Sequence, residues 1–264
     1  PGTKRLLILG DSYAFGFGVD NEETFAYVLD DTLPGWEVLN FAVSATGTDQ
    51  NLLMYEHHGR RFNPDVVLLG FYVLDYNRNT IGFRDYAKPM FRPDPTGHLE
   101  LLNVPVIHPE ELVEEYRNGR RTIGGWHYSY LVASLRQAYC DHVANDRGEG
   151  ALGRRVLSGL MRRFAERVRA DGADPLWVNI PTRGMLEGGE STYRPVSDFA
   201  LAEARHLGMP VVDLEQVFRD SLARRSEVES LWRPEDVGGH LSAEGHRVTA
   251  IAIRDLLESR GLLQ

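Results

Sequence analysis

Five short, largely apolar runs, set apart by stretches long enough for helices, constrain this chain more than any other feature. They are Arg5 to Leu9, Glu37 to Val43, Val66 to Tyr72, Leu176 to Ile180 and Val211 to Leu214. Each is brief and lies close to Gly, Pro, Asn or Asp, the pattern of a buried strand. Helices are expected at about Glu23 to Leu33, Gln50 to Phe62, Leu152 to Ala170, Ser197 to Leu207 and Leu214 to Ala223, with a last one from Ser242 to Ser259. Ser242, with Glu244 and Gly245 behind it, opens that last helix as an N-cap turn. Strands alternating with helices imply right-handed βαβ units and a parallel sheet covered on both faces.

The rhythm breaks between residues 78 and 126, which are rich in Pro, Gly, Arg and His. Pro93-Asp94-Pro95-Thr96-Gly97 is a turn signal. Leu99-Glu100-Leu101 followed by Val104-Pro105-Val106 suggests a small hairpin. A segment of this length is more than a connector. It is expected to be an insertion in a single domain spanning residues 1–264, acting as a flap.

The 264 residues carry a formal net charge of -9, which argues against the basic face that nucleic-acid binding needs. The single cysteine, Cys140, excludes an internal disulfide and a cysteine-rich metal site. No apolar stretch approaches the length of a membrane span, and no signal peptide is present. The chain opens at Pro1, just before a core strand, so a trimmed amino terminus is expected and the compartment stays open. Nothing in the pattern fixes an oligomeric state.

The chemistry concentrates at the two ends. Leu6-Leu7-Ile8-Leu9 runs into Gly10-Asp11-Ser12, so Ser12 falls at the carboxyl end of a strand, where open α/β sheets place their ligands. A serine hydroxyl is a weak nucleophile until a base takes its proton. Asp236-Val237-Gly238-Gly239-His240 supplies a candidate base, His240, and a candidate orienting acid, Asp236, ahead of the last helix. Asp11 reads as a residue that holds the loop backbone. His246 reads as a helix-face residue. His57 and His58 are adjacent on a helix, about 100° apart, and so are poorly placed to chelate one ion. Asp49, Asp75 and Asn77 could gather at strand ends, but their spacing matches no metal-ligand pattern, and no metal or cofactor is expected. Arg183 follows the fourth strand and either binds an anionic substrate group or forms a loop salt bridge. Tyr13, Phe15, Phe17, Phe71, Tyr72 and Tyr76 are expected to line the rim near Ser12.

Four blocks in order resemble the SGNH (GDSL-type) hydrolase superfamily. They are Leu9-Gly10-Asp11-Ser12, then Asn40 to Gln50 (NFAVSATGTDQ), then Pro64 to Asp75 (PDVVLLGFYVLD), then Asp236 with His240 to His246 (HLSAEGH). The resemblance brackets nearly the whole chain. It implies a flavodoxin-like three-layer α/β fold around a five-stranded parallel sheet. It also implies ester hydrolysis through an acyl-serine, with Ser12 as nucleophile, His240 as base and Asp236 as orienter. The substrate class it suggests is a small acyl group on a carbohydrate or secondary metabolite.

The chain departs from the family in three places. Ala45 stands where the second block usually has a glycine whose N–H enters the oxyanion hole, and Gly47 is the nearest glycine. The N–H survives the change provided φ need not be positive. Leu74 stands where the third block usually has an asparagine before its aspartate, here Asp75, and Asn77 is a possible replacement donor. Three residues rather than two separate Asp236 from His240. The departures are compatible with an esterase whose oxyanion hole is adjusted, with an acyltransferase using an alcohol or amine acceptor, and with a non-catalytic binding member. Ser12 and His240 together favour chemistry.

Overall fold

The apolar runs assemble into one all-parallel sheet. The computed structural model describes residues 2–83, 86–118, 149–187, 192–223, 231–233 and 239–263. In chain order its strands are β1 (Lys4–Leu9), β2 (Trp36–Asn40), β3 (Val66–Tyr72), β4 (Met90–Pro93), β5 (Leu99–Leu102), β6 (Asp174–Ile180) and β7 (Val211–Asp213). The helices are α1 (Ser12–Phe15), α2 (Phe25–Thr32), α3 (Thr48–His57), α4 (Asp75–Arg78), α5 (Pro109–Arg117), α6 (Glu149–Ala170), α7 (Arg183–Leu186), α8 (Arg194–His206), α9 (Leu214–Ala223) and α10 (Ala243–Ser259). The chain divides into two compact units, residues 1–76 with 160–264, and residues 77–159.

The first unit holds the five-stranded sheet, in the order β2-β1-β3-β6-β7. With the β4–β5 hairpin set aside, this is the flavodoxin order, whose ligands lie beyond the carboxyl ends of the strands. All seven residues of β3 are buried, as a strand covered on both faces requires. One helical layer is α2, α9 and α10, with α10 packed on both of the others. The opposite layer is α3, α6 and α8. There Tyr55 meets Phe164 edge-on at 6.3 Å, and Arg163 grips Glu56 through two hydrogen bonds of 2.8 Å. Asn179 of β6 donates to Ser197 Oγ of α8 at 2.8 Å, and Arg169 at the end of α6 reaches the Leu207 carbonyl at 2.9 Å. The fold is therefore the three-layer α/β arrangement.

β2 ends at Asn40 rather than Val43 because the Asn40 side chain turns the chain. Its Oδ1 accepts from Ala42 N at 3.1 Å, while its Nδ2 donates to Ala14 O at 3.2 Å.

In the second unit, β4 and β5 form an antiparallel hairpin with Met90 opposite Leu102 and Pro93 opposite Leu99. This corrects the expected pairing with Val104–Val106, whose valines are exposed. The turn decides the partner. Asp94 Oδ1 accepts from Thr96 N at 2.8 Å and His98 N at 2.9 Å, folding Leu99 back on the residues before the turn. The Thr96 hydroxyl bond and the two backbone bonds hold the Asp94 carboxyl below the usual range. α5 was not foreseen from the sequence. Among the described residues no helix is long and apolar enough to cross a membrane.

Candidate active site

The end of β1 places Ser12. Asp11, fully buried, caps α1 by accepting from Tyr13 N at 2.9 Å. This bends the chain sharply, so that Ser12 begins α1. Gly10 is required at the bend: a Cβ there would lie 2.5 Å from Ala14 Cβ and 3.0 Å from the Gly70 carbonyl oxygen.

The loop after β2 is stitched beside this turn. Val43 N and Thr46 Oγ1 both donate to Gly10 O, at 3.0 and 3.2 Å. Ala45 lies in that loop with φ +68°, in the left-handed region. The condition under which alanine replaces glycine freely is therefore not met. The N–H is retained at a conformational cost of about 1–2 kcal/mol. Gly47 has an extended φ of −107° and caps α3, its carbonyl accepting from Gln50 N and Asn51 N.

A second pairing delivers His240. Leu231–Arg233 runs antiparallel to His240–Ser242: Trp232 bridges Leu241, Arg233 N donates to His240 O at 3.0 Å, and Ser242 N donates to Leu231 O at 3.0 Å. Side chains alternate across such a pair. Trp232 and Leu241 are buried, Trp232 edge-on to Phe218 at 5.3 Å, so His240 is directed to the opposite face. Its Nε2 lies 2.9 Å from Ser12 Oγ.

Tyr13 secures the meeting. Its hydroxyl donates to Gly239 O at 3.0 Å, and its ring stacks on Tyr72 at 4.0 Å and lies 4.8 Å from the His240 ring. Phe17 approaches the His240 ring from 4.9 Å while remaining half exposed. His246, one turn into α10, is buried and accepts from Phe25 N through Nδ1 at 3.2 Å. Burial, aided by the charge of His240, pushes its pKa down to about 4.

The other expected residues fall as follows. Asp236 lies outside the described residues. Asp75 and Asp49 are fully buried, and Leu74 is half-buried. Asn77 is exposed and belongs to the second unit. Arg183 pairs with Glu187 at 2.6 Å, and its Cβ lies beside Gly239. Phe71 does not line a rim. It is buried in the sheet core, 5.1 Å from Trp177. Both His57 and His58 are exposed. Among the described residues no three metal-ligating side chains gather. The roles of Tyr13 and of the Leu231–Arg233 strand were not foreseen; the pairing is a single bridge, Trp232 to Leu241, too short to leave a periodic signal in the sequence.

A three-layer α/β sheet with a serine and a histidine in hydrogen-bond contact at its carboxyl edge defines a hydrolase-like site. The chain belongs to the GDSL-like lipase/acylhydrolase family, which it matches over residues 8–248, and so to a family of hydrolases acting on esters. Solved structures share the fold at low identity. LAE5, an alpha/beta hydrolase from the metagenome of Lake Arreo, Spain, is 13% identical with a TM-score of 0.58, over 99% of this chain and 96% of that one. A catalytic mutant of Axe2, an acetylxylan esterase from Geobacillus stearothermophilus, is 13% identical with a TM-score of 0.55, over 97% and 95%. The esterase EstA from Pseudoalteromonas sp. is 13% identical with a TM-score of 0.53, over 97% of each chain. No curated protein matches the sequence.

Proposed function

We propose that the protein hydrolyses a carboxylic ester through an acyl-enzyme on Ser12. The observation that carries this reading is the 2.9 Å approach of His240 Nε2 to Ser12 Oγ. In the tautomer whose lone pair is on Nε2, His240 takes the hydroxyl proton as Ser12 Oγ attacks the carbonyl carbon. The carbonyl oxygen becomes an oxyanion facing the N–H groups of Ser12 and Ala45. When the C–O bond breaks, the alcohol leaves with the proton from His240, and the acyl group stays on Ser12. Water then attacks, gives its proton to His240, and the returning proton restores the Ser12 hydroxyl as the acid departs. Asp236 is assigned the task of holding the other imidazole nitrogen.

The substrate proposed is a small acyl group on a carbohydrate or other hydroxylated metabolite. Support comes from the family and from the fold shared with an acetylxylan esterase.

The test is turnover of 4-nitrophenyl acetate and labelling by a fluorophosphonate. Both are expected to need Ser12, and His240→Gln is expected to slow turnover about 10²–10⁴-fold. Turnover and labelling that persist unchanged in Ser12→Ala would overturn the reading. Product partitioning toward an added alcohol would instead identify a transferase.

A further inference from the structure

The strand that delivers His240 also presents an arginine to the same face. Trp232 is bridged to Leu241, so Arg233 stands directly opposite His240, and the two side chains share the side turned away from the buried Trp232 and Leu241. Directly opposed Cβ atoms in such a pair are about 4.5–5.5 Å apart. The Arg233 guanidinium lies on Gly18. A Cβ at that glycine would fall 1.8 Å from Nη1 and 2.6 Å from Cζ, and φ there is +88°, so only glycine leaves the guanidinium its place. Gly18 directly follows Phe17, whose ring lies 4.9 Å from His240 and is 48% exposed.

Among the described residues no carboxylate pairs with the Arg233 side chain, although the chain as a whole is acidic. Arg183, the arginine singled out from sequence for this purpose, is engaged by Glu187. Among the described residues this half-buried guanidinium has no ion-pair partner, and such a group carries a desolvation cost that a bound anion would offset.

Which part of a substrate would meet it follows from the proposed chemistry, on which this inference rests. His240 must reach the leaving oxygen to protonate it, so the alcohol portion passes His240 rather than the oxyanion donors. Phe17 and Arg233 flank His240 and therefore border the alcohol portion. We infer that Arg233 binds an anionic group, a carboxylate, sulfate or phosphate, on the alcohol portion of the ester, with Phe17 supporting its apolar face. The substrate class becomes an acyl ester of an acidic sugar or hydroxy acid.

The experiment compares 3- and 4-acetoxybenzoate with their methyl esters, which keep the leaving group and remove the charge. In the wild-type protein the anionic ester of at least one pair is expected to be preferred in kcat/KM. In Arg233→Met the anionic-to-neutral ratio should fall about 10- to 100-fold, the range of a charged hydrogen bond, with partial recovery in Arg233→Lys. A misfolded variant loses both esters alike, so the ratio still reports on the charge. Calorimetric binding of 3- and 4-hydroxybenzoate to Ser12→Ala, with and without Arg233→Met, asks the same question without turnover and is expected to show the same loss. An unchanged ratio together with unchanged binding would overturn the inference. So would a loss confined to 4-nitrophenyl hemisuccinate, whose charge is on the acyl side. Ester turnover independent of Ser12 would instead remove the underlying hydrolase reading.

Discussion

Ala45 carries a conformational cost at the position to which the proposed mechanism assigns an oxyanion donor. Its φ of +68° is a conformation that glycine adopts freely and alanine does not. Replacement by glycine relieves that strain but adds freedom to the unfolded chain, worth about 0.4–1 kcal/mol in the other direction. Ala45→Gly is therefore expected to be neutral or stabilising by up to about 1 kcal/mol, with kcat retained because the N–H remains. Ala45→Val places a β-branched side chain in the same conformation and should lose about 1–3 kcal/mol in urea unfolding. A valine variant as stable as the parent would show that the loop relaxes to another conformation. Tyr13 offers a second test at this scale. Tyr13→Phe keeps the ring against His240 and Tyr72 but deletes the bond to Gly239 O. A base held less accurately should affect alkyl acetates, whose leaving oxygen needs a proton, more than 4-nitrophenyl acetate, whose leaving group departs without one. Equal losses on both substrates would reduce Tyr13 to a packing role.

Among the elements, the sheet was the most legible and the connections the least. Val66 to Tyr72 reads as a continuous apolar run because β3 is buried on both faces, and its observed bounds coincide with the expected ones. The helix of Leu214 to Ala223 is equally plain in the sequence. The hairpin partner was misjudged because Asp94, through bonds to Thr96 and His98, closes the turn toward the upstream strand. Such side-chain capping leaves little mark on a hydrophobic pattern. The Leu231–Arg233 pairing escaped notice because two short strands joined across residues 234–238 are too brief for periodicity to reveal. That pairing rests on the start of α10. A Cβ at Gly245 would fall 2.3 Å from the Leu231 carbonyl oxygen. Gly245→Ala must therefore push the Leu231–Arg233 strand outward, and His240 with it. Backbone leaves no flexible neighbour to yield, so a loss of about 1–3 kcal/mol is expected, with a fall in kcat larger than the loss of folded protein explains. Circular dichroism melts alongside 4-nitrophenyl acetate turnover check this, and unchanged turnover would show that His240 is not held through this strand.

At the scale of the whole molecule, the two ends of the chain are closed on each other twice. Ser12 and His240 meet across 228 positions, and Phe25 N meets His246 Nδ1 across 221. Only the sheet order, which sets β1 between β2 and β3, and the packing of the last helix on α2 bring such distant segments together. The pairing of Ser12 with His240 was anticipated from motif order, whereas the burial of His246 depends on how α2 and α10 pack and was visible only as a helix-face position. That burial makes global stability depend on pH. An unfolded histidine titrates near 6.5 and the buried one near 4, because burial and the nearby His240 disfavour its charge. Between these values the unfolded state holds a proton that the folded state does not. Stability from this group is thus complete above about pH 6.5 and declines as the pH falls toward 4, by about 2–3 kcal/mol over the window. His246→Asn retains an acceptor for Phe25 N–H but cannot titrate. Urea unfolding at intervals from pH 7 to 4.5 should show the parent losing about 2 kcal/mol more than the variant, after the carboxylates common to both are subtracted. Parallel curves would mean that the His246 ring is protonated in the folded protein, and that the α2–α10 contact opens to water well before the molecule unfolds.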